Sequence, residues 1–308
     1  TEIVTQYAPL QAVLEVVAKV APSDTAVLIT GESGTGKELI AHMLHRLSER
    51  AGPFVDVSCA SLSEGLLESE LFGHERGAFA GADERKLGLM ELAAGGTLFL
   101  DEISELSLKL QSKLVRALDQ RSFYRVGGTQ KVEVDVRVLA ASNRDLAHRA
   151  GEGLFRDDLL YRINTIEIKL PPLRDRAVDI PLIARQFLRQ YGKANPPTLT
   201  VDALDVLGRY PWPGNVRELR NVIERVVLLA QGPQIRATDL PLQLPGHGST
   251  PTSSPAVSLE ELERRHIEMV LHNTNWHQGR AASALGISSK TLYRKIREYG
   301  FQRPGGLE

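Results

Sequence analysis

Seven residues, Gly31-Glu32-Ser33-Gly34-Thr35-Gly36-Lys37, have types and spacing that could do chemistry. The pattern G-x-x-x-x-G-K is met in full. Glycines let the backbone curl until successive N–H groups point into one concavity, and the positive end of the following helix adds to it. Such a cradle suits a polyphosphate, with Lys37 reaching the β- and γ-phosphates as a point charge. Glu38 stands where a Ser or Thr hydroxyl usually helps hold Mg²⁺. A second stretch, Gly95-Gly96-Thr97-Leu98-Phe99-Leu100-Asp101-Glu102, is a hydrophobic run ending in two acids, as in a Walker B element. Asp101 is placed to hold Mg²⁺, directly or through water, and Glu102 to polarise an attacking water as general base.

Further polar residues fit the same chemistry. Asn143, in Ser142-Asn143-Arg144-Asp145, can sense a γ-phosphate or be an ordinary turn residue. Arg217 falls in the first turn of a helix, where a cation opposes the dipole, so its placement needs another reason. Contact with bound phosphate supplies one. Arg156 and Arg162 are six residues apart and do not share a helix face well. They are two surface arginines, or one or both reach a neighbour's nucleotide.

These residues need elements to position them. Ala26-Val27-Leu28-Ile29 reads as a strand before the loop, and Glu38 to Arg50 as a helix after it. Helical spacing also marks residues 10–20, Ser61 to Leu71 with solvated Glu64, Glu68 and Glu70, and 107–119. Strands are expected at Pro53–Val57, within Gly95–Glu102, at Val132 to Ala140 and at Ile166–Leu170. A short helix begins near Phe155. This alternation implies a mostly parallel sheet covered on both faces, with ligands outside the strand C-termini. The loop, the acid pair and Asn143 all fall at those ends and can converge on one site. After Pro172 the pattern turns all-helical, with helices at Asp179 to Tyr191, Thr200 to Tyr210 and Val216 to Ala230. The domain reading is 1–172 for the α/β nucleotide-binding part, 173–240 for a helical lid, 241–257 for a Pro/Gly/Ser-rich linker, and 258–308 for a small all-α domain.

With 308 residues the chain can bury a sizeable core, and its net charge of −1 selects neither nucleic acid nor membrane as a whole. No apolar run reaches the roughly 18 residues of a membrane span, and no signal-peptide pattern opens the chain. Cys59 is the only cysteine, which excludes an internal disulfide and a cysteine zinc site, and it reads as a buried inert thiol. These points suggest a cytoplasmic protein without membrane partners.

Two stretches point to macromolecular partners. Gly77-Ala78-Phe79-Ala80-Gly81-Ala82 has one aromatic among small residues and reads as an exposed, mobile loop with Phe79 at its tip. A surface hairpin with Phe79 packed inward is equally compatible with the composition. Near the C-terminus, Ser258-Leu259-Glu260-Glu261 is a capping box. Ala281 to Ser288 then reads as a helix and tight Gly turn, and Ser289 to Tyr299 as a further helix. This is helix-turn-helix spacing. Ser289, Lys290, Thr291, Tyr293, Arg294, Lys295 and Arg297 give the last helix a polar, basic surface suited to double-stranded DNA.

The whole chain resembles the NtrC-type bacterial enhancer-binding proteins, AAA+ transcription activators that work with sigma-54 RNA polymerase. The resemblance rests on Gly31 to Glu38, with the family's own Glu after the lysine, and on Glu70-Leu71-Phe72-Gly73-His74-Glu75. It also rests on Gly96 to Glu102, Phe155-Arg156-Asp157-Asp158-Leu159-Leu160-Tyr161-Arg162 and Trp212-Pro213-Gly214-Asn215-Val216-Arg217-Glu218-Leu219. It implies an AAA+ ATPase with a helical lid and a Fis-like DNA-binding domain. ATP is then bound by residues Gly31 to Glu38, Asp101 handles Mg²⁺, and Glu102 handles water. Asn143 becomes the sensor I residue and Arg217 the sensor II arginine. Arg156 and Arg162 become arginine fingers acting on the adjacent subunit of a ring, usually a hexamer, with dimeric DNA domains.

Two departures from the family pattern matter. The loop that contacts sigma-54 has Ala80 in place of Thr, which removes a hydroxyl. Ser58 stands where an Asn commonly restrains the catalytic glutamate. No receiver or sensor domain precedes the ATPase, so the chain reads as naturally short or truncated. The first functional expectation is an ATP-driven activator that remodels the sigma-54 holoenzyme. The alternative, motivated by Ala80, is an ATP-binding DNA regulator, a repressor or main-sigma-factor activator, that does not productively engage sigma-54. A protein-unfolding machine gives residues 258–308 no role.

Overall fold

The computed structural model describes residues 3–192, 195–230, 232–242 and, within 263–301, all but 265, 269, 272, 273 and 275. The chain divides into two compact units, Thr1–Leu244 and Pro245–Glu308. Residues 243–257, most of the expected linker, and the capping box at 258–261 lie outside the described residues.

Five parallel strands form the central sheet of the first unit: β1 (Val27–Thr30), β2 (Phe54–Ser58), β3 (Thr97–Asp101), β6 (Arg137–Ser142) and β7 (Ile166–Lys169). Their order is β2-β3-β6-β1-β7. The inner strands are continuous apolar runs because helices cover both faces. On one face Leu28, Leu98, Leu100, Val138 and Ala140 pack with Leu67 and Leu71 of α3 (Glu64–Phe72), Leu110 and Leu114 of α5 (Leu108–Gln120), and Leu159 and Ile163 of α7 (Asp157–Ile163). On the other, Val27, Ile29, Phe99, Leu139 and Ala141 pack with Leu10 and Val17 of α1 (Ala8–Val20) and Ile40 and Leu44 of α2 (Lys37–Arg46). Alternate residues of each strand thus serve opposite cores, as the period of two requires. Cys59 is buried in the first core, and burial pushes its thiol up to about 12.

The stretch Val132 to Ala140, expected as one strand, is two. β5 (Lys131–Glu133) pairs antiparallel with β4 (Ser122–Tyr124), with the Arg125–Thr129 turn between them, and β6 starts only at Arg137. Alternation continues through both, so periodicity alone hides the break. Glu68, expected to be solvated, instead receives both Lys109 (2.9 Å) and Lys113 (3.3 Å) and ties α3 to α5. The short helices α4 (Leu89–Leu92) and α6 (Leu146–Gly151) carried too little periodicity to be read.

The lid consists of α8 (Ile180–Tyr191), α9 (Val201–Arg209) and α10 (Asn215–Leu229) around fully buried Trp212, whose indole N–H donates to the Leu207 carbonyl at 2.8 Å. It is not wholly helical: β8 (Thr198–Leu199) and β9 (Gln234–Ile235) form a parallel pair.

Candidate active site

The phosphate cradle links β1 to α2. Gly31, Gly34 and Gly36 all have positive φ, and a Cβ on Gly34 would lie 2.2 Å from the Gly214 carbonyl oxygen. Only glycine permits that approach. Lys37 opens α2, is largely buried, and donates from Nζ to the carbonyls of Gly31 (2.8 Å) and Glu32 (3.0 Å). Burial holds its ammonium below the ordinary lysine range, and Asp101 opposes that shift. Arg217 and Glu102 act on the same ammonium, in opposite senses, so all four groups share one neighbourhood. Glu38 is exposed, with its carboxylate 3.9 Å from Nε2 of His42.

Asp101 ends β3, and its Oδ1 accepts the backbone N–H of Glu102 at 3.0 Å. Glu102 takes φ 55° and ψ 43°, the left-handed region that L-residues avoid. The turn separates the two acids at the strand end. Asn143 is exposed just beyond β6, whose last carbonyl, that of Ser142, accepts from Gly31 N at 3.2 Å. The sheet therefore brings Asn143, the acid pair and the cradle to one edge. Ser58 is the register partner of Asp101. Among the described residues no hydrogen bond joins its side chain to Glu102.

The lid closes on the cradle directly. Val216 N donates to Gly34 O at 3.0 Å, and Arg217 Nη1 donates to Ser33 Oγ at 3.0 Å. Sequence reasoning missed the residue that organises this contact. Asn215 is fully buried with φ 52°; its Oδ1 accepts from Leu173 N (2.7 Å), and its Nδ2 donates to Ser33 O (2.9 Å) and Glu32 Oε2 (3.1 Å). The signal available was an Asn beside Pro213-Gly214, since Asn tolerates left-handed backbone. Glu32 also takes a two-pronged ion pair from Arg174 (2.6 and 2.8 Å), and Arg174, followed by Asn215, holds its carboxyl below the usual range. Its side chain thus faces the lid, while its backbone belongs to the cradle.

Arg156 is the N-cap residue of α7, and Arg162 lies in its last turn. Arg156 pairs with Asp158 (2.7 and 3.0 Å), and Arg162 donates to Leu118 O (2.9 Å) with Asp119 at 3.5 Å. Arg162 lines a recess with Asp24, Thr25 and Ala26, which precede β1, and with Val136. It therefore sits at the strand N-termini, away from its own cradle.

The Gly77–Ala82 segment is a tight turn, closed by Gly77 N to Ala82 O at 2.8 Å. Phe79 is 44 % exposed yet lies edge-on against His74 at 5.0 Å, so each expected arrangement holds in part. The turn is tied to the hairpin beside it. Val126 N donates to Gly73 O (2.9 Å), Glu75 N donates to Val126 O (3.0 Å), and buried Arg125 bonds both Glu75 and Glu91.

In the second unit, helices Gln278–Ala284 and Ser289–Tyr299 flank a turn with Gly286 at φ 65°. Lys290, Thr291, Tyr293, Arg294 and Arg297 line one shallow surface groove. Lys295 is different: its ammonium bonds Glu263 (2.7 Å) and Tyr299 (3.1 Å), which together hold it above the ordinary lysine range. It braces the bundle.

A parallel sheet in this strand order, a P-loop, paired acids at a strand end and a helical lid define a nucleotide-binding protein of the AAA+ class. The profile of the Sigma-54 interaction domain matches residues 3–169, that of the AAA+ ATPase lid domain 174–256, and that of Bacterial regulatory protein, Fis family 258–299. The chain belongs to the sigma-54 interaction domain family, and its C-terminal part matches the Fis family of bacterial regulatory proteins. It is 49% identical over 296 residues to the regulatory protein AtoC of Escherichia coli (92% of this chain, 64% of AtoC). It is 44% identical to the transcriptional regulatory protein FlbD of Caulobacter vibrioides (94% of this chain, 68% of FlbD). The chain thus spans somewhat under two thirds of AtoC's length. The crystal structure of NtrX from Brucella abortus in complex with ATP superposes with a TM-score of 0.77 at 34% identity, covering 98% of this chain and 70% of that one.

Proposed function

We propose that this chain is an ATP-hydrolysing, DNA-binding transcription regulator that remodels the sigma-54 RNA polymerase holoenzyme in the bacterial cytoplasm. The observation that carries the reading is the convergence at one edge of the sheet of the Gly31–Lys37 cradle, the Asp101–Glu102 pair that ends β3, and Arg217 of the lid, whose Nη1 donates to Ser33 Oγ at 3.0 Å. In this reading Lys37 and the Gly31–Glu38 amides bind the phosphates, and Glu102 holds and deprotonates the attacking water. Asn143 and Arg217 contact the γ-phosphate. Asp101 fits a hard cation, because a carboxylate at the strand end beside a phosphate cradle is the donor set Mg²⁺ takes. Bound there, Mg²⁺ supplies neutralisation of phosphate charge.

Arg162 lies at the wrong end of the sheet for its own site, which supports action on a neighbour's nucleotide within a ring, in this reading a hexamer. Arg156 is the second finger of the pair. Ser58 flanks the acids as a weaker restraint on Glu102 than the family's Asn. The helix Ser289–Tyr299, with Lys290, Thr291, Tyr293, Arg294 and Arg297 on its surface, enters the DNA major groove, the domains acting as a dimer. The Phe79 turn contacts sigma-54.

Ala80 supports a second reading, a DNA-binding ATPase that leaves sigma-54 promoters closed. Transcription in vitro with sigma-54 and main-sigma holoenzymes separates the two, alongside Ala80→Thr. ATP-dependent open complexes with sigma-54 are the expected result. Open complexes only with Ala80→Thr, or only with the main sigma factor, would replace the first reading by the second.

A further inference from the structure

A carboxylate of the lid reaches across to the N-terminal segment. Asp179 is fully buried immediately before α8. Its Oδ2 accepts from Thr5 Oγ1 at 2.7 Å, and its Oδ1 accepts the backbone N–H of Gln6 at 2.7 Å and of Tyr7 at 3.2 Å. Charge-assisted bonds of this kind are strong, and removing the acceptor leaves donors unpaired. The bonds fix the path of the two residues just upstream.

Those residues, Ile3 and Val4, line an apolar recess together with Leu39 and Phe187 and with Thr35 and Gly36 of the cradle. The recess therefore adjoins the phosphate site, and its apolar walls suit a flat heterocycle. A buried arginine joins Thr35 and Gln186 among the polar residues of the lining. Arg176 is 3 % exposed; its Nη2 donates to Thr35 O at 3.1 Å, and its Nε has no hydrogen-bond partner among the described residues. A donor left over in an apolar wall matches a ring nitrogen, which is an acceptor.

We infer that Asp179 is a positioning residue for the purine base of the nucleotide: it pins Ile3 and Val4 as one wall of the base recess and so sets base affinity without touching the phosphates. The inference rests on the reading of Gly31–Lys37 as an ATP site. None of the three residues belongs to the phosphate cradle or to the acid pair, so their loss should divide base binding from phosphate binding.

The test uses the full chain and two probes, ATP and inorganic tripolyphosphate. Asp179→Ala and the double variant Ile3→Ser/Val4→Ser should each weaken ATP binding about tenfold, a cost near 1.4 kcal/mol. Tripolyphosphate binding should stay within about twofold, and kcat should change far less than KM. Asp179→Asn, which keeps one acceptor, should fall between wild type and Asp179→Ala. Combining Asp179→Ala with Ile3→Ser/Val4→Ser should add little, because both remove the same wall. Should Asp179→Ala fail to fold, the double variant, which leaves the lid intact, decides alone. Equal weakening of both probes, or unchanged ATP affinity, overturns the inference. A wild-type chain that binds tripolyphosphate and ATP equally also overturns it, whereas one that binds neither overturns the ATP-site reading itself.

Discussion

Glu102 holds a backbone conformation that costs an L-residue about 1–2 kcal/mol, and the residue that bears the cost is the one proposed above as the general base, turned away from Asp101. Glu102→Gln keeps shape and turn but cannot take a proton. Nucleotide binding should survive, and turnover should drop by about 10²–10⁴-fold. Unchanged hydrolysis in a single-turnover assay would remove Glu102 as the base. Glu32 offers a subtler case. Arg174 depresses its carboxyl pKa, so the pair contributes stability above the unfolded carboxylate value and loses it as pH falls through the lower folded value. The contact is about half exposed, so solvent screening keeps its contribution small. Thermal melts should therefore show Arg174→Ala less stable than wild type at pH 7, with the gap closing at acid pH. An equal gap at both pH values would mean that charge pairing is not its source.

Among the elements, the Phe79 turn and the β4–β5 hairpin behave as one body because Arg125 bonds acids on both sides of it. Replacing it by Ala strands Glu91, itself largely buried, at a cost of about 1–3 kcal/mol. Hydrogen exchange should quicken at Gly73–Ala82 and at 122–133 together. Faster exchange in only one of them would show that the two are not coupled. Much of this framework was legible from the sequence: the strand-loop-helix at Gly31, the acid-ended strand and the helices of the lid all carry local signals. Three features were not. The break between β5 and β6 left the alternation intact. Lys295 has the same residue type and spacing as the cations facing outward, and only its distant partner Glu263 sets it apart. Asn215, Arg176 and Asp179 act through contacts more than 40 residues away in sequence, which no window of periodicity contains.

For the molecule as a whole, the action of Arg162 on a neighbour's nucleotide, as proposed above, would make turnover a property of neighbouring subunits. Arg162→Ala should bind ATP normally and hydrolyse it about 10³-fold more slowly or worse. Mixed with Glu102→Gln subunits, it should recover part of the activity, since each partner supplies the group the other lacks. Mixtures no more active than their components would refute action between subunits. A different consequence follows from the backbone contact of Gly34 with Gly214 and Val216. The two ends of the Asn215–Ser33 bond are 182 residues apart. At ribosomal speeds of about 5–20 residues per second, the cradle waits roughly ten to forty seconds for the segment that completes it. A nascent chain halted before Trp212 has the acid pair that ends β3 in hand but an unfinished seat for nucleotide.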